Sequence, residues 1–157
     1  MNNDPTTKEL LDHAWQYFAL HAGQRMSTFN FFLVLASLTA AGLAACLQRG
    51  GRIQLLGVAL GALLALVSFI FWKLDQRVSF LLKHAEQVIA QLELSVPIAA
   101  ARLVHNERER TALAVSSGFV LLRMWTYGTA FRCIFAVMGV VGFAGAGLCF
   151  ARYLGRL

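Results

Sequence analysis

Three apolar runs dominate the sequence and limit what the chain can fold into. They extend over Phe29–Leu47, Ile53–Trp72 and Phe131–Phe150. Each has about the 20 residues that a helix needs to cross roughly 30 Å of hydrocarbon. Because 58% of the 157 residues are apolar and only 14% are charged, a water-soluble domain is excluded. The sequence therefore predicts an all-α protein with three transmembrane helices.

The charged residues predict the orientation of these spans. The first two are separated only by "QRGGR" at Gln48–Arg52, a tight turn that predicts an antiparallel hairpin. Nine Lys and Arg fall on the side of the N-terminus and of the loop after the second span, against four on the other side. The positive-inside rule thus predicts a multi-pass membrane protein with a cytoplasmic N-terminus. All eight Asp and Glu lie on that inner side, so its net charge is about +1 and does not itself indicate nucleic-acid binding.

Four parts are predicted along the chain. They are an amphipathic N-terminal helix (1–28), the transmembrane hairpin (29–72), a cytoplasmic helical hairpin with an interfacial elbow (73–128), and the third span with a short tail (129–157). Asp4-Pro5 predicts the start of the first helix, which we expect on the membrane or against a neighbouring cytoplasmic part. Gly128 predicts a bend before the last span.

A lipoprotein signal is an alternative interpretation of Leu43–Cys46, "LAAC", which follows an apolar run. About 30 residues precede that run, and they include Asp4, Glu9 and Asp12, whereas a signal peptide has a short basic start. The composition of this segment favours a transmembrane helix in which Cys46 is a small apolar residue.

A heptad pattern continues from the second span into the loop. Its apolar residues recur at alternating spacings of four and three: Leu74, Val78, Leu81, Ala85, Val88 and Leu92. Because no Gly or Pro interrupts this seam, we predict one helix from Ile53 to Leu94, about 63 Å long, that projects beyond the bilayer. Ser95 and Pro97 predict its end and the start of a return helix. We expect the seam to contact neighbouring copies.

Basic residues cluster on this cytoplasmic hairpin. They are Lys83, His84, Arg102, Arg108 and Arg110. Glu107 and Glu109 alternate with two of them, which in one chain is typical of a solvated face with local ion pairs. A ring of about four or more copies would multiply the patch and could hold an oligonucleotide by phosphate contacts.

Small and polar residues inside the spans predict packing and lining positions. The small ones are Gly57, Gly61, Ala65, Gly139, Gly142 and Gly145, which allow close helix approach in lipid, within one chain or between chains. The polar candidates for a pore are Asn30, Ser37, Gln54 and Ser68. Arg132 is expected to extend to the inner headgroups.

Catalytic and metal-binding patterns are absent from the sequence. Its four His are far apart, and neither a His-Glu-x-x-His pattern nor a Gly-rich phosphate loop occurs. Cys46, Cys133 and Cys149 are each isolated within a span. The sequence predicts no enzyme, no metal site and no cofactor.

Three strings carry a resemblance to known proteins: "HAGQRMSTFNFFLVLAS", "FWKLDQRVSFLLKHAEQ" and "TYGTAFRCIFAVMGVVG". The chain resembles small bacterial membrane effectors of antiphage systems, and in plan it is most similar to the membrane effectors of Hailong systems. It also resembles the octameric inner-membrane family named after RipA. The Hailong resemblance implies an oligomeric ion channel held shut by single-stranded DNA oligomers from a partner nucleotidyltransferase.

With this resemblance, the predicted function is a homo-oligomeric, gated channel of the bacterial inner membrane that depolarises the cell in abortive infection. A nucleotide or oligonucleotide ligand on its cytoplasmic part is expected to hold it in check. Its partners would be membrane lipid, about four or more copies of itself, and a single-stranded DNA oligomer or other nucleotide. Two alternatives remain: a non-conducting oligomeric scaffold, and a regulatory partner of a cytoplasmic enzyme.

Overall fold

A computed structural model describes residues 6–49, 51–95, 102–107 and 127–155. Three long helices account for most of these residues: α1 (Thr7–Gln48), α2 (Ile53–Glu93) and α3 (Tyr127–Tyr153). Residues 103–107 are helical as well, and the described ranges contain no strand. Each long helix has a segment long and apolar enough to cross a membrane. The predicted all-α fold with three spanning helices is confirmed.

The chain divides into two compact units. Unit 1 comprises Met1–Arg25 and Arg77–Thr126, and unit 2 comprises Met26–Gln76 and Tyr127–Leu157. Helices α1 and α2 each contribute residues to both units, whereas α3 belongs to unit 2. The predicted spans are thus all in unit 2.

The start of α1 is fixed by a reciprocal cap. The Thr6 N–H donates to the Glu9 carboxylate (2.8 Å), and the Glu9 N–H donates to Thr6 Oγ1 (3.4 Å). This Thr-x-x-Glu capping box satisfies two N–H groups at once, which explains why the helix begins after Thr6 rather than at the predicted Asp4-Pro5. Asp4 and Pro5 lie outside the described residues.

Helix α1 then continues without interruption to Gln48. The structure differs here from the prediction of a separate N-terminal helix, because no Pro occurs in the helix and Gly23 is accommodated inside it. A second difference concerns Gly128, which lies within α3 instead of forming a bend. A single Gly lowers helix propensity by only about 1 kcal/mol, which neighbouring residues readily offset.

The turn between α1 and α2 follows the prediction. Gly51 has a positive φ of 80°, a conformation that its lack of a side chain permits. The Gln54 side-chain amide donates to the carbonyls of Cys46 (3.1 Å) and Arg49 (2.6 Å) and so satisfies acceptors at the end of α1. At the other end of α2, the helix ends at Glu93, close to the predicted stop at Ser95. Pro97 lies outside the described residues, as do 116–126 of the predicted elbow.

Aromatic contacts join α1 to α3 in unit 2. The Phe29 and Phe131 rings stack with centroids 3.9 Å apart, and Phe32 meets Phe135 edge to face at 4.7 Å. Phe32, Phe131 and Phe135 are buried in one cluster with Ala36 and Leu64. Because these pairs follow the same order along both helices, α1 and α3 are parallel and each α1 residue lies level with a defined part of α3.

Glycines bring α2 and α3 into backbone contact. A Cβ added at Gly61 would lie 2.7 Å from the Gly142 carbonyl oxygen, and one added at Gly142 would lie 2.7 Å from the Gly61 carbonyl oxygen. Nearby, Gly57 contacts the Cys149 thiol and Gly145 contacts Leu43. The structure therefore places these small residues in contacts within one chain, where dispersion forces hold helices together in lipid.

The close approach predicts that Gly61→Ala destabilises the protein. Since the new methyl group would meet backbone that cannot rotate away, we expect the free energy of unfolding in detergent to fall by about 2 kcal/mol. Gly147→Ala on α3 is the matched control, because no atom lies within 4 Å of its added Cβ. Thermal denaturation followed by circular dichroism measures both. Equal denaturation midpoints for the two variants would contradict the packing described here.

Candidate functional site

The four polar residues predicted to line a pore fall into two pairs. Gln54 and Ser68 are 2% and 1% exposed, and both donate to carbonyls within the chain, Ser68 to Leu64 at 2.7 Å. Asn30 and Ser37 are exposed on α1. The structure thus directs the first pair into the helix contacts of unit 2 and leaves the second pair accessible to water or to another copy.

An ion pair that sequence reasoning missed joins α2 to α3. Arg132 Nε lies 3.5 Å from Asp75 Oδ2, and the Asp75 side chain is only 4% exposed against 40% for Arg132. Arg132 therefore contacts a carboxylate, whereas the sequence analysis expected it to extend to headgroups. The available signal was that Asp75 follows the second predicted span and Arg132 lies at the start of the third, which places two opposite charges at the same end of these spans. A buried carboxylate depends strongly on its cation, because loss of one partner leaves the other charge in a medium of low polarity.

The predicted basic cluster is only partly brought together. Lys83 and His84 are exposed on α2, while the Arg102 guanidinium donates to the Leu94 carbonyl at 3.2 Å. Lys83 and Leu94 are separated by about 16 Å along the helix axis at the rise of an α-helix. Because the Arg102 guanidinium lies at Leu94, the Lys83 and Arg102 charges belong to two separate parts of the surface and do not form one patch. Arg108 and Arg110 lie outside the described residues.

Glu93 connects the end of α2 to the helical residues 103–107. Its side chain is buried, and its carboxylate accepts the N–H groups of Val104 (3.3 Å) and His105 (2.9 Å). These N–H groups belong to the first turn of the helical segment, where they lack helical acceptors and a negative charge is favourable. Glu93, Leu94 and Arg102 together form what we call the α2 junction. The sequence offers no signal for a contact across this distance.

Charge in unit 1 is balanced. Its described residues include five Lys and Arg and five Asp and Glu. The basic ones are Lys8, Arg25, Arg77, Lys83 and Arg102, and the acidic ones are Glu9, Asp12, Glu86, Glu93 and Glu107. An anion would therefore be recognised by the placement of individual cations and not by the overall potential of one chain.

The predicted oligomer seam is partly covered within a single chain. Ala85 is 4% exposed and its neighbours Leu82 and Ile89 are buried as well, whereas Leu74 is 44% exposed. The other seam residues are half-buried: Val78, Leu81, Val88 and Leu92. Phe80, which the heptad analysis did not include, is 72% exposed. Its exposure makes it a further surface residue of α2.

Metal and thiol chemistry have little support in the described part of the chain. No group of three His, Cys, Asp or Glu side chains there could hold a metal ion. Cys46 and Cys149 are buried free thiols, and Cys133 is half-buried. The geometry of the described residues offers helix contacts, an ion pair and a junction of hydrogen bonds.

Comparison with known proteins identifies the family. The model of the octameric membrane protein family (8xMP) matches residues 8–149. CD-NTase-associated protein 19 of Escherichia coli is 42% identical over 133 residues, which cover 83% of this chain and 84% of that protein. No solved structure matches. The likeness to an octameric membrane family is confirmed, and that to Hailong effectors stays a prediction. Since the match extends from the first turn of α1 to the last turns of α3, the chain is a multi-pass membrane protein that belongs to the octameric membrane protein family.

Proposed function

We propose that eight copies of the chain form a gated effector channel of the bacterial inner membrane that depolarises the cell in antiphage defence. An anionic nucleotide or oligonucleotide bound to unit 1 controls the channel. The family description supports the eight copies. The name of the Escherichia coli relative, "CD-NTase-associated", supports a nucleotidyltransferase as the source of the ligand.

The packing of unit 2 supports a path between copies. Gly61 and Gly142 hold α2 and α3 in backbone contact, and the Gln54 side-chain NH2 group and the Ser68 hydroxyl donate to carbonyls inside the chain. Three helices packed in this way leave their exposed polar groups on the outside of the bundle. An ion path would therefore be assembled from the outer faces of several copies.

The hydrogen bonds of the α2 junction are the observation that supports control of the channel by a ligand. Arg102 donates to the Leu94 carbonyl directly after the last turn of α2, and Glu93 holds the following helical segment. A phosphate group is a stronger acceptor for a guanidinium than a carbonyl is. A ligand that takes Arg102 from Leu94 would change the end of a helix whose first half is the second span. Such binding shifts the channel only if the ligand binds the open and closed states unequally.

A regulatory partner of a cytoplasmic enzyme is the second candidate. Leu103 and Phe80 in unit 1 are each 72% exposed. Exposed large apolar side chains are typical of a surface that contacts another protein. Stable co-purification of a soluble enzyme with the intact membrane protein would favour this function.

Channel activity predicts that induced expression depolarises the cell. A path through the octamer dissipates the membrane potential, so a potential-sensitive dye should report loss of potential after induction. Cells that produce an unrelated three-span protein to the same membrane level serve as the control. Intact potential at high expression, with purified protein free of bound nucleotide, would favour the non-conducting scaffold.

Ligand control predicts that Arg102→Glu weakens oligonucleotide binding. The probe is a fluorescent single-stranded deoxyoligonucleotide titrated against the full-length protein in lipid nanodiscs at several salt concentrations. We expect about tenfold or greater loss of affinity and a shallower dependence on salt, because each copy loses a phosphate contact.

The matched control for this experiment is Arg77→Glu. Arg77 is exposed on α2, and its substitution changes the net charge by the same amount at a different place. If both variants lose affinity equally, bulk charge and not the α2 junction binds the ligand. If wild-type protein binds no oligonucleotide at low salt, the ligand part of the proposal is wrong.

A further inference from the structure

One face of α1 remains exposed along the whole spanning segment in unit 2. Its positions alternate at spacings of four and three, which places them on one side of the helix. The residues of this α1 stripe are Asn30, Val34, Ser37, Ala41, Ala44 and Gln48. All six are exposed, and five of them are small or polar.

The opposite face of α1 makes the contacts of unit 2. Its buried residues follow the stripe at an offset of two positions, which is about 200° around a helix. They are Phe32, Ala36, Thr39, Leu43 and Cys46. The α1 stripe is therefore turned directly away from the helices that pack against α1.

The exposed faces of α2 and α3 have a different composition. Within 53–72 and 131–150, the exposed residues are all apolar or glycine. Within 29–47, by contrast, Asn30 and Ser37 are exposed alongside apolar residues such as Phe31 and Leu38, and both polar residues belong to the α1 stripe. Lipid chains can cover the outer faces of α2 and α3, whereas the exposed face of α1 carries the Asn30 amide, which needs polar surroundings, and the Ser37 hydroxyl.

The Asn30 amide is the group of the α1 stripe that most requires polar surroundings. Ser37 donates its hydroxyl proton to the Leu33 carbonyl at 2.6 Å, but the Asn30 amide has no hydrogen bond within the described residues. Asn30 lies level with Arg132, because Phe29 stacks on Phe131, and at this end of the span its amide requires polar surroundings and is not satisfied by lipid chains. Water or the same residue of a neighbouring copy would provide these surroundings.

We propose that the α1 stripe of every copy faces the axis of the octamer and lines a water-filled lumen. This inference rests on the proposed channel and names its lining. No charged residue occurs in α1 between Arg25 and Arg49, so the lumen wall is uncharged. Val34 is the largest apolar side chain of the stripe and is 61% exposed. Eight Val34 side chains between the Asn30 and Ser37 rings would form the apolar part of this hydrated lumen wall.

The test compares Val34→Cys with Val137→Cys. Both residues are valines, they are 61% and 60% exposed, and they lie at similar depth because Phe29 and Phe32 meet Phe131 and Phe135. Each variant is made in full-length protein with Cys133→Ala, in liposomes, and treated with a charged, membrane-impermeant thiol reagent. Only a thiol that reaches water forms the reactive thiolate, so we expect Val34→Cys to be labelled about tenfold faster. Ser37→Cys should follow Val34→Cys.

Two results would overturn this inference. Labelling of Val137→Cys at an equal or higher rate would assign the lumen to α3, and protection of Val34→Cys and Ser37→Cys alike would show that the stripe is a dry contact between copies. Ion flux from the same liposomes separates this inference from the proposed function. Rapid labelling of Val34→Cys without ion flux supports the water-lined stripe and contradicts channel activity.

Discussion

The backbone contact between Gly61 and Gly142 is the constraint on which unit 2 depends. Each glycine lies against the carbonyl oxygen of the other, so neither helix can carry a side chain at this point. In lipid, apolar side chains gain nothing by leaving water, and helices associate through close packing instead. The contact sets the α2–α3 separation and is compatible with the Asp75–Arg132 pair and with the phenylalanine cluster against α1. These contacts use the inner faces of α1, α2 and α3, so the face of α1 that carries Asn30 and Ser37 remains on the outside of the three helices.

The distribution of polar groups connects this packing with function. The Ser68 and Thr39 hydroxyls and the Gln54 side-chain NH2 group donate to carbonyls of their own chain, which lowers the cost of placing them in a membrane, although Gln54 Oε1 is buried without a hydrogen bond. Asn30 has no such partner among the described residues and is exposed. The exposed amide therefore favours an assembly in which neighbouring copies or water complete its hydrogen bonds, in agreement with the octameric family.

Local composition made the spans, the Gln48–Arg52 turn and the long α2 predictable, because each depends on residues close together in sequence. Contacts between distant residues were not predictable in the same way. Asp75 and Arg132, or Glu93 and His105, pair only because particular helices meet. The cap at Thr6 was readable as a Thr-x-x-Glu pattern, but Asp4-Pro5 offered a competing start. Of the predicted lining residues, Asn30 and Ser37 could not be separated from Gln54 and Ser68 without knowing which face of each helix is buried.

Ion current through the purified protein in a planar lipid bilayer tests the central claim most directly. Our account predicts discrete current steps from wild-type protein, with little selectivity between ions of opposite charge because the lumen wall carries no charge. It also predicts that a single-stranded oligonucleotide added on the side of unit 1 reduces the current. Bilayers that remain silent, although octamers are shown to be incorporated and free of nucleotide, would contradict a conducting role and leave a membrane scaffold as the function of the assembly.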